Sequence, residues 1–237
     1  MSAAKTNQNS GFTSYAQLSE DVVLFRALQD IGQGFYIDVG AHDPTIASTT
    51  KAFYDRGWQG INIEPVDSWF HKLEKERPLD INLKVAAGNH QGALRFFEIL
   101  DTGLSTASIE FARNHELAGF KVMEKQVEVT TLNAICDQYK PAVIHFLKID
   151  VEGLEKEVLE GVDLRSIRPW IIISEATVPL SQVETHLEWE HLLTDNDYTF
   201  FRTDGLNRFY CANEHSDLLP ILREPLETFD FTHLGQD

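Results

Sequence analysis

Short apolar runs alternate with longer amphipathic segments along most of the chain. Residues 35–39, 60–64 and 82–87 have the length and composition of buried strands, and segments with helical periodicity lie between them at 45–56 and 68–77. Strict alternation of strand and helix is typical of right-handed crossover units that build a parallel sheet. The pattern therefore predicts an open α/β sheet.

The alternation returns in the second half of the chain. Residues 144–150 and 170–175 are predicted strands, and a helix is predicted at about 183–194. Two further predicted strands, 198–203 and 208–211, are joined by a short segment that opens with Asp-Gly, which is a hairpin signal. We therefore expect the sheet to end with an antiparallel strand.

The same reading divides the chain into three parts. Residues 1–13 are expected to form a flexible N-terminal lead, and 14–212 a single domain. The alternation of strand and helix becomes irregular at about 92–131, and we interpret this segment as an insertion that covers the functional site. Residues 213–237 contain two prolines and are predicted to form a C-terminal tail or linker.

Composition and charge narrow the classes of function. Lysine and arginine number 20 against 37 aspartate and glutamate, which gives a net charge of −17. Such a surface repels nucleic-acid phosphates and anionic lipid headgroups, so we expect no nucleic-acid partner. No apolar run approaches the roughly 20 residues of a spanning helix, so no transmembrane segment is predicted. The N-terminus lacks the apolar core of a secretory signal and the chain has only 2 cysteines, which favours the cytoplasm.

Four predicted strands end in an acid, namely Asp38, Glu64, Asp150 and Glu175. In an open α/β sheet, ligands bind outside the carboxyl ends of the strands, near the point where the strand order reverses. A single acid at such an end is often only the N-cap of the next helix. Four together indicate a ligand site.

The first two of these strand ends indicate a nucleoside-bearing ligand without phosphates. A carboxylate at the end of the second strand, Glu64, can accept hydrogen bonds from both hydroxyls of a ribose. Gly40 removes the Cβ that would block the approach of the ligand. A dinucleotide site normally needs G-x-G-x-x-G, but this turn has one glycine, so a ligand whose ammonium group pairs with Asp38 fits better.

These residues carry a family resemblance. The segments FYIDVGAHDPTIASTTKAFYDRGWQGINIEP, KVAAG, FLKIDVEGLEKEVLEG and IIISE resemble the FkbM-type methyltransferases that use S-adenosylmethionine. The resemblance runs from about Tyr15 to Tyr210. Its most specific parts are DVGA at 38–41, NIEP at 62–65 and KIDVEG at 148–153, which together form a strong signal.

The resemblance implies a fold and a cofactor site. The implied fold is the Rossmann-like class I methyltransferase fold, a mostly parallel seven-stranded sheet with an antiparallel last strand and helices on both faces. The implied S-adenosylmethionine site has parts for the methionine, the ribose and the adenine. Its residues are Gln17, Glu20, Asp38, Gly40, Ala41, Ser48 (or Thr49 in its place, for the methionine carboxylate), Glu64, Pro65, Ala86, Ala87 and Asp150.

Methyl transfer is an in-line displacement that must align a nucleophile and remove a proton from a hydroxyl. Asp150 and Glu175 are predicted to flank the methyl group, as catalytic groups or as ligands of Mg²⁺ or another divalent cation. Alternatively, Asp150 holds the cofactor ammonium or caps the next helix, and Glu175 pairs with Lys148. His42 is the other candidate base, or else positions the substrate.

The predicted function is O-methylation of a hydroxyl, with S-adenosylmethionine as the donor. The family implies a sugar acceptor, in a glycan, a lipid-linked saccharide or a glycosylated metabolite, and a glycosyltransferase as partner or fused domain. One alternative is a catalytically idle interaction module of a glycan-synthesis protein. A third possibility, an NAD-dependent oxidoreductase, is disfavoured by the missing glycines.

Overall fold

The structure, a computed structural model, describes residues 11–234. Within this part of the chain, the strands are β1 (Phe12–Ser14), β2 (Phe35–Val39), β3 (Gln59–Ile63), β4 (Ile81–Leu83), β5 (Ala86–Ala87), β6 (Gly92–Ile99), β7 (Val122–Thr130), β8 (Phe146–Ile149), β9 (Ile171–Glu175), β10 (Tyr198–Thr203), β11 (Asn207–Ala212) and β12 (Phe231–His233). The α-helices are α1 (Glu20–Leu28), α2 (Lys51–Tyr54), α3 (Asp67–Glu76), α4 (Ile109–Leu117), α5 (Leu132–Tyr139), α6 (Glu155–Glu160), α7 (Glu190–Thr194) and α8 (Leu219–Leu222). Short 3₁₀ helices occupy His186–Glu188, Asn213–Leu218 and Leu226–Thr228. None of the helices between residues 11 and 234 is both long and apolar enough to cross a bilayer.

Seven strands form the central sheet, in the order β10-β11-β9-β8-β2-β3-β4. The pairs from β9 to β4 are parallel, whereas β11 runs antiparallel to both of its neighbours. The α/β class is therefore confirmed, and the sheet is mixed. The chain proceeds from β2 toward β3 on one side and reaches β8 on the other, so the strand order reverses between β2 and β8. Ligand sites form at such a reversal.

Alternate side chains of the central strands enter two separate hydrophobic clusters. Ile37 and Leu147 belong to one cluster, which includes buried residues of α5, α6 and α7. Tyr36 and Phe146 belong to the other, which includes buried residues of α1, α2 and α8. Side chains of neighbouring strand residues point to opposite faces, so helices cover both faces of the sheet.

The predicted third strand, residues 82–87, divides into two strands. β4 ends at Leu83 and lies at the edge of the central sheet, whereas β5 pairs in parallel with β7. β7 also pairs antiparallel with β6, which gives a second sheet in the order β5-β7-β6. The single predicted strand is wrong because Ala86 and Ala87 pair with Val129 and Thr130 of the insertion.

The helix predicted at residues 45–56 is shorter, because its first half forms a loop. Only Lys51–Tyr54 is α-helical, and Ala47 has a left-handed φ of 56°. The guanidinium of Arg77 is fully buried and donates to the carbonyl oxygen of Pro44, with an Nε–O distance of 3.0 Å. This contact fixes the loop that follows β2. Hydrophobic periodicity along residues 45–56 could not indicate it, because Arg77 is distant in the sequence.

The two ends of the described chain pack together on the domain. The predicted lead, residues 1–13, lies mostly outside the described residues, but β1 pairs in parallel with β12. The segment predicted as a C-terminal tail or linker, residues 213–237, contacts the domain: Leu222 is 1% exposed, and Arg26 donates to the carbonyl oxygen of Pro225 at 2.9 Å. Residues 235–237 lie outside the described part.

Candidate functional site

A cavity of about 490 Å³ lies at the carboxyl ends of the central strands. Its size falls within the range of small-molecule sites, about 300–1,000 Å³. Its walls include the ends of β2, β3, β8 and β9, the loop after β2, and residues 102–105 of the insertion. The sequence-predicted site residues that line it are Gln17, Asp38, Gly40, Ala41, His42, Ser48, Glu64, Pro65, Ala86, Ala87, Asp150 and Glu175. Glu20 does not line it.

Gly40 is required by the protein backbone itself. Its φ is 78°, and a Cβ at this position would lie 1.8 Å from the carbonyl oxygen of Asp150. Its N–H donates to the carbonyl oxygen of Ile63 at 3.0 Å. The glycine therefore lets the turn after β2 pass directly against the end of β8. This reason differs from the expected one, which was close approach of a ligand.

Glu64 holds the same turn from the other side. Its two carboxylate oxygens accept hydrogen bonds from the backbone N–H groups of His42 and Val66, each at 2.8 Å. The side chain is 4% exposed, and burial raises the pKa of this carboxyl to about 7. Each oxygen retains a second lone pair for a ligand hydroxyl.

Asp38 has one oxygen engaged and one without a partner. Its Oδ2 accepts from the hydroxyl of Thr50 at 2.9 Å, whereas its Oδ1 is buried with no hydrogen-bond partner. Buried polar atoms are normally satisfied, so Oδ1 is suited to a ligand donor. The hydroxyl of Ser48 accepts from Arg77 at 3.0 Å, but the buried hydroxyl of Thr49 has no partner. Of the two, Thr49 is the freer group.

Asp150 is an ionised carboxylate paired with a buried ammonium. Its Oδ2 accepts from Lys148 Nζ at 2.9 Å, and its side chain remains 29% exposed. Burial alone would raise the pKa of Asp150, but the ammonium of Lys148 holds it below its usual value. Lys148 therefore pairs with Asp150, and the alternative pairing with Glu175 is not what the structure shows.

Two further carboxyls lie beside Asp150. Ligand oxygens of Asp150, Glu152 and Glu175 lie within 4.8 Å of one another. Glu175 is 5% exposed, and one oxygen each of Glu152 and Glu175 is buried without a partner. Burial, and then the neighbouring carboxylates, raise the pKa of both groups well above its usual value. The cluster can therefore hold protons as well as charge.

His42 lies in the turn after β2 with its ring against an aromatic side chain. The ring centroids of His42 and Trp69 are 4.1 Å apart, and Nε2 of His42 is buried without a partner. Burial lowers the pKa of the imidazole, so the ring is neutral near pH 7. A neutral ring nitrogen without a partner can accept a proton or a hydrogen bond.

Glu20 lies behind the cavity wall. Its carboxyl accepts from the N–H of Leu18 at 2.8 Å and from the amide of Asn207 at 3.1 Å. It is 3% exposed, and burial raises its pKa from 4.5 to about 7. Its position supports the segment that carries Gln17, and the structure brings it into no direct contact with the cavity.

This raised pKa gives a pH dependence of stability. A raised folded-state pKa means that the native protein binds more protons than the unfolded chain between the two pKa values, so stability falls as pH rises through about 7. The free energy of unfolding of the wild type should therefore decrease between about pH 4.5 and pH 8. We expect Glu20→Gln to make this decrease smaller by up to about 3 kcal/mol. Thermal denaturation across this pH range measures it, with the exposed Asp30→Asn as control. Equal pH slopes in wild type and Glu20→Gln would contradict the expectation.

Comparison with known proteins supplies the family. A family model described as the methyltransferase FkbM domain matches residues 38–200, from the end of β2 to β10. The chain belongs to the FkbM methyltransferase family. The matched segment contains Asp38, Glu64, Asp150 and Glu175. No curated protein matches this methyltransferase at a significant level.

Sequence reasoning missed Trp69 at this site of the FkbM methyltransferase and did not give Glu152 and Lys148 the contacts that the structure shows. Glu152 and Lys148 both lie within KIDVEG at 148–153, so the motif contained them without indicating their roles. Trp69 lies in α3 and lines the cavity, but no spacing singled it out. Acids and lysines at alternating strand positions carry a signal, whereas a single aromatic residue on a helix does not.

Proposed function

We propose that this methyltransferase transfers a methyl group from S-adenosylmethionine to a sugar hydroxyl. The observation that carries the proposal is the meeting of Glu64, Asp38 and the Asp150–Glu175 pair in one cavity at the strand reversal. The strand order, with its antiparallel β11, further supports the Rossmann-like class I arrangement for this sheet. Membership of the methyltransferase family favours methyl transfer over hydride transfer.

The residues present fit the cofactor. Its ribose hydroxyls are donors for the free lone pairs of Glu64, and its ammonium group suits Asp38 Oδ1, which is buried without a partner. The hydroxyl of Thr49 is free to donate to the carboxylate of the methionine part. The small residues Ala86 and Ala87 line the cavity wall nearest the adenine in this assignment. When bound, the cofactor supplies an electrophilic methyl group on a sulfonium sulfur and leaves as a neutral thioether.

The carboxyl cluster is the first candidate to remove the proton of the acceptor hydroxyl. With the cofactor bound, the ionised carboxylate of Asp150 would take up the proton of the acceptor hydroxyl. Lys148 keeps this carboxylate ionised, and Glu175, whose pKa burial and the neighbouring carboxylates raise, lies beside it. His42 is the second candidate for the proton, because its Nε2 is free and its ring is neutral.

Other parts of the proposal rest on the family alone. These are the glycan or glycosylated metabolite as acceptor and a glycosyltransferase as partner or fused domain. A divalent cation at Asp150 and Glu175 also stays a prediction. The ammonium of Lys148 already neutralises the carboxylate of Asp150, which disfavours a cation there. A cytoplasmic location also stays a prediction.

The proposal is tested by calorimetric titration of the protein with S-adenosylmethionine and S-adenosylhomocysteine. We expect both to bind, and we expect Glu64→Gln to weaken binding by roughly 10- to 100-fold, because it removes a charged acceptor worth about 1.5–3 kcal/mol. Glutamine retains one oxygen, which can replace only one of the two carboxylate oxygens that accept from His42 and Val66, so thermal denaturation is used to check that the variant is folded. The same titration of chelator-treated protein, with and without Mg²⁺, tests whether cofactor binding depends on a divalent cation.

The matched control is Glu74→Gln, an exposed glutamate of α3 that does not line the cavity. Folded wild-type protein that binds neither ligand would rule out the proposed cofactor and favour the idle interaction module. Normal affinity in Glu64→Gln would show that the ribose lies elsewhere.

A further inference from the structure

The cavity wall carries five acids and a single lysine. Among the described residues that line it, the ionisable acids are Asp38, Glu64, Asp150, Glu152 and Glu175, and the only lysine or arginine is Lys148. Lys148 is paired with Asp150 at 2.9 Å, and the described part of the wall has no further lysine or arginine for the other four acids. The acids of this wall therefore outnumber its lysine and arginine side chains by five to one.

The single ammonium is not free to bind an anionic ligand. Lys148 is 7% exposed and donates to Asp150 at 2.9 Å. Of the cations nearby, Arg77 is fully buried with its donors used on the loop after β2. Lys72 does not line the cavity; its Nζ lies over the Trp69 ring, 4.0 Å from the centroid, and 3.4 Å from Asp43.

The backbone donors of the turn after β2 are also occupied. In phosphate-binding α/β proteins this turn presents its N–H groups to the ligand. Here the N–H groups of Gly40 and Ala41 donate to the carbonyl oxygen of Ile63, at 3.0 and 3.2 Å. The N–H of His42 donates to Glu64. The turn therefore offers none of these three donors to a phosphate.

Apolar side chains lie at the cavity wall instead. Ile46, in the loop after β2, is 63% exposed, and Leu180, in the loop after β9, is 70% exposed. Leu180 also has a left-handed φ of 56°, an unfavourable conformation for a leucine. Leu104 of the insertion lines the same cavity. These side chains suit an uncharged molecule with apolar surface.

We propose that the acceptor enters this cavity as an uncharged glycoside, and not as a sugar phosphate or a nucleotide sugar. The proposal rests on the proposed methyl transfer to a sugar and adds the chemical class of the acceptor. It also gives the reaction a place in a sequence. A sugar is activated by a nucleoside diphosphate before it is transferred, so a glycosyl-transfer reaction that releases the nucleotide must supply this substrate.

The test compares the same hexoses in three forms. With S-adenosylmethionine as donor, methyl transfer is measured to p-nitrophenyl glycosides, to hexose 1-phosphates and to uridine diphosphate hexoses. We expect kcat/KM for the phosphate-bearing forms to be at least about 100-fold lower, because like charges placed together cost several kcal/mol. Methylation of a phosphate-bearing form as fast as its glycoside would overturn the proposal and leave the methyltransferase function intact.

A binding measurement tests whether the cavity accepts a phosphate-bearing ligand, even if no hexose of the panel is methylated. Uridine diphosphate is titrated into the protein saturated with S-adenosylhomocysteine, whose own binding tests the cofactor separately. Leu104→Glu adds a negative charge to the cavity wall, and Leu117→Glu adds the same charge at an 87% exposed position of α4. Binding that only Leu104→Glu weakens lies in the cavity and overturns the proposal. No binding, or binding that is the same in both variants, supports it.

Discussion

Asp150→Asn is expected to lower kcat by about 10²- to 10⁴-fold, which is the usual contribution of a positioned acid or base. The asparagine retains an oxygen that accepts from Lys148, so the buried ammonium keeps a partner. It lacks the negative charge that receives the acceptor proton. We expect the affinity for S-adenosylhomocysteine to change only a few-fold, so the loss should fall on turnover. The measurement is steady-state kinetics on the best glycoside acceptor, together with calorimetry.

Two variants identify the source of the effect. Glu116→Gln changes an exposed glutamate of α4 and should leave the rate unchanged. His42→Gln tests the other candidate base. If Asp150→Asn keeps its rate while His42→Gln loses a similar factor, the proton goes to the imidazole and the assignment of Asp150 is wrong.

Gly40→Ala is expected to lower the free energy of unfolding by about 2–5 kcal/mol. A left-handed φ costs a residue with a Cβ roughly 1–2 kcal/mol, and overpacking against a fixed neighbour adds about 1–3 kcal/mol. The neighbour here is the carbonyl oxygen of Asp150, 1.8 Å from the new Cβ, so β2 and β8 must separate. Urea denaturation measures the loss, and cofactor affinity should fall as well because the same turn carries the N–H that donates to Glu64.

Gly57 is the matched control. Its φ of 84° is close to the 78° of Gly40, but a Cβ there would meet nothing within 4 Å. Gly57→Ala should therefore show only the backbone cost of roughly 1–2 kcal/mol, with unchanged cofactor affinity. Equal losses in the two variants would mean that the approach of β2 to Asp150 is not what requires the glycine at position 40.

The contacts that prepare the cavity for methyl transfer also limit which acceptors can bind. The ammonium of Lys148 is needed inside the wall to keep Asp150 ionised, which leaves it unable to attract an anionic acceptor. Glu64 and the carbonyl oxygen of Ile63 take up the backbone donors of the turn after β2. The arrangement that prepares the carboxylate for proton transfer is therefore the one that disfavours phosphates.

Local pattern in the sequence determined the α/β class, the antiparallel end of the sheet and the four acids at the strand ends. The acids could be placed together because the carboxyl ends of parallel strands meet at one edge of a sheet, whatever the details of packing. The family resemblance implied Ala86 and Ala87 as site residues, and both line the cavity although they belong to the second sheet.

Only the tertiary structure decided which atoms are free and which are already paired. The partner of Lys148, the engagement of Ser48 by Arg77 and the unpaired hydroxyl of Thr49 depend on residues distant in the sequence. Glu152 joins the carboxyl cluster with a left-handed φ of 55°, and its carbonyl oxygen accepts from the insertion residue Thr106 at 2.7 Å. Periodicity reports which face of an element is buried, but hydrogen-bond partners across the fold are set by packing between elements that no local pattern encodes.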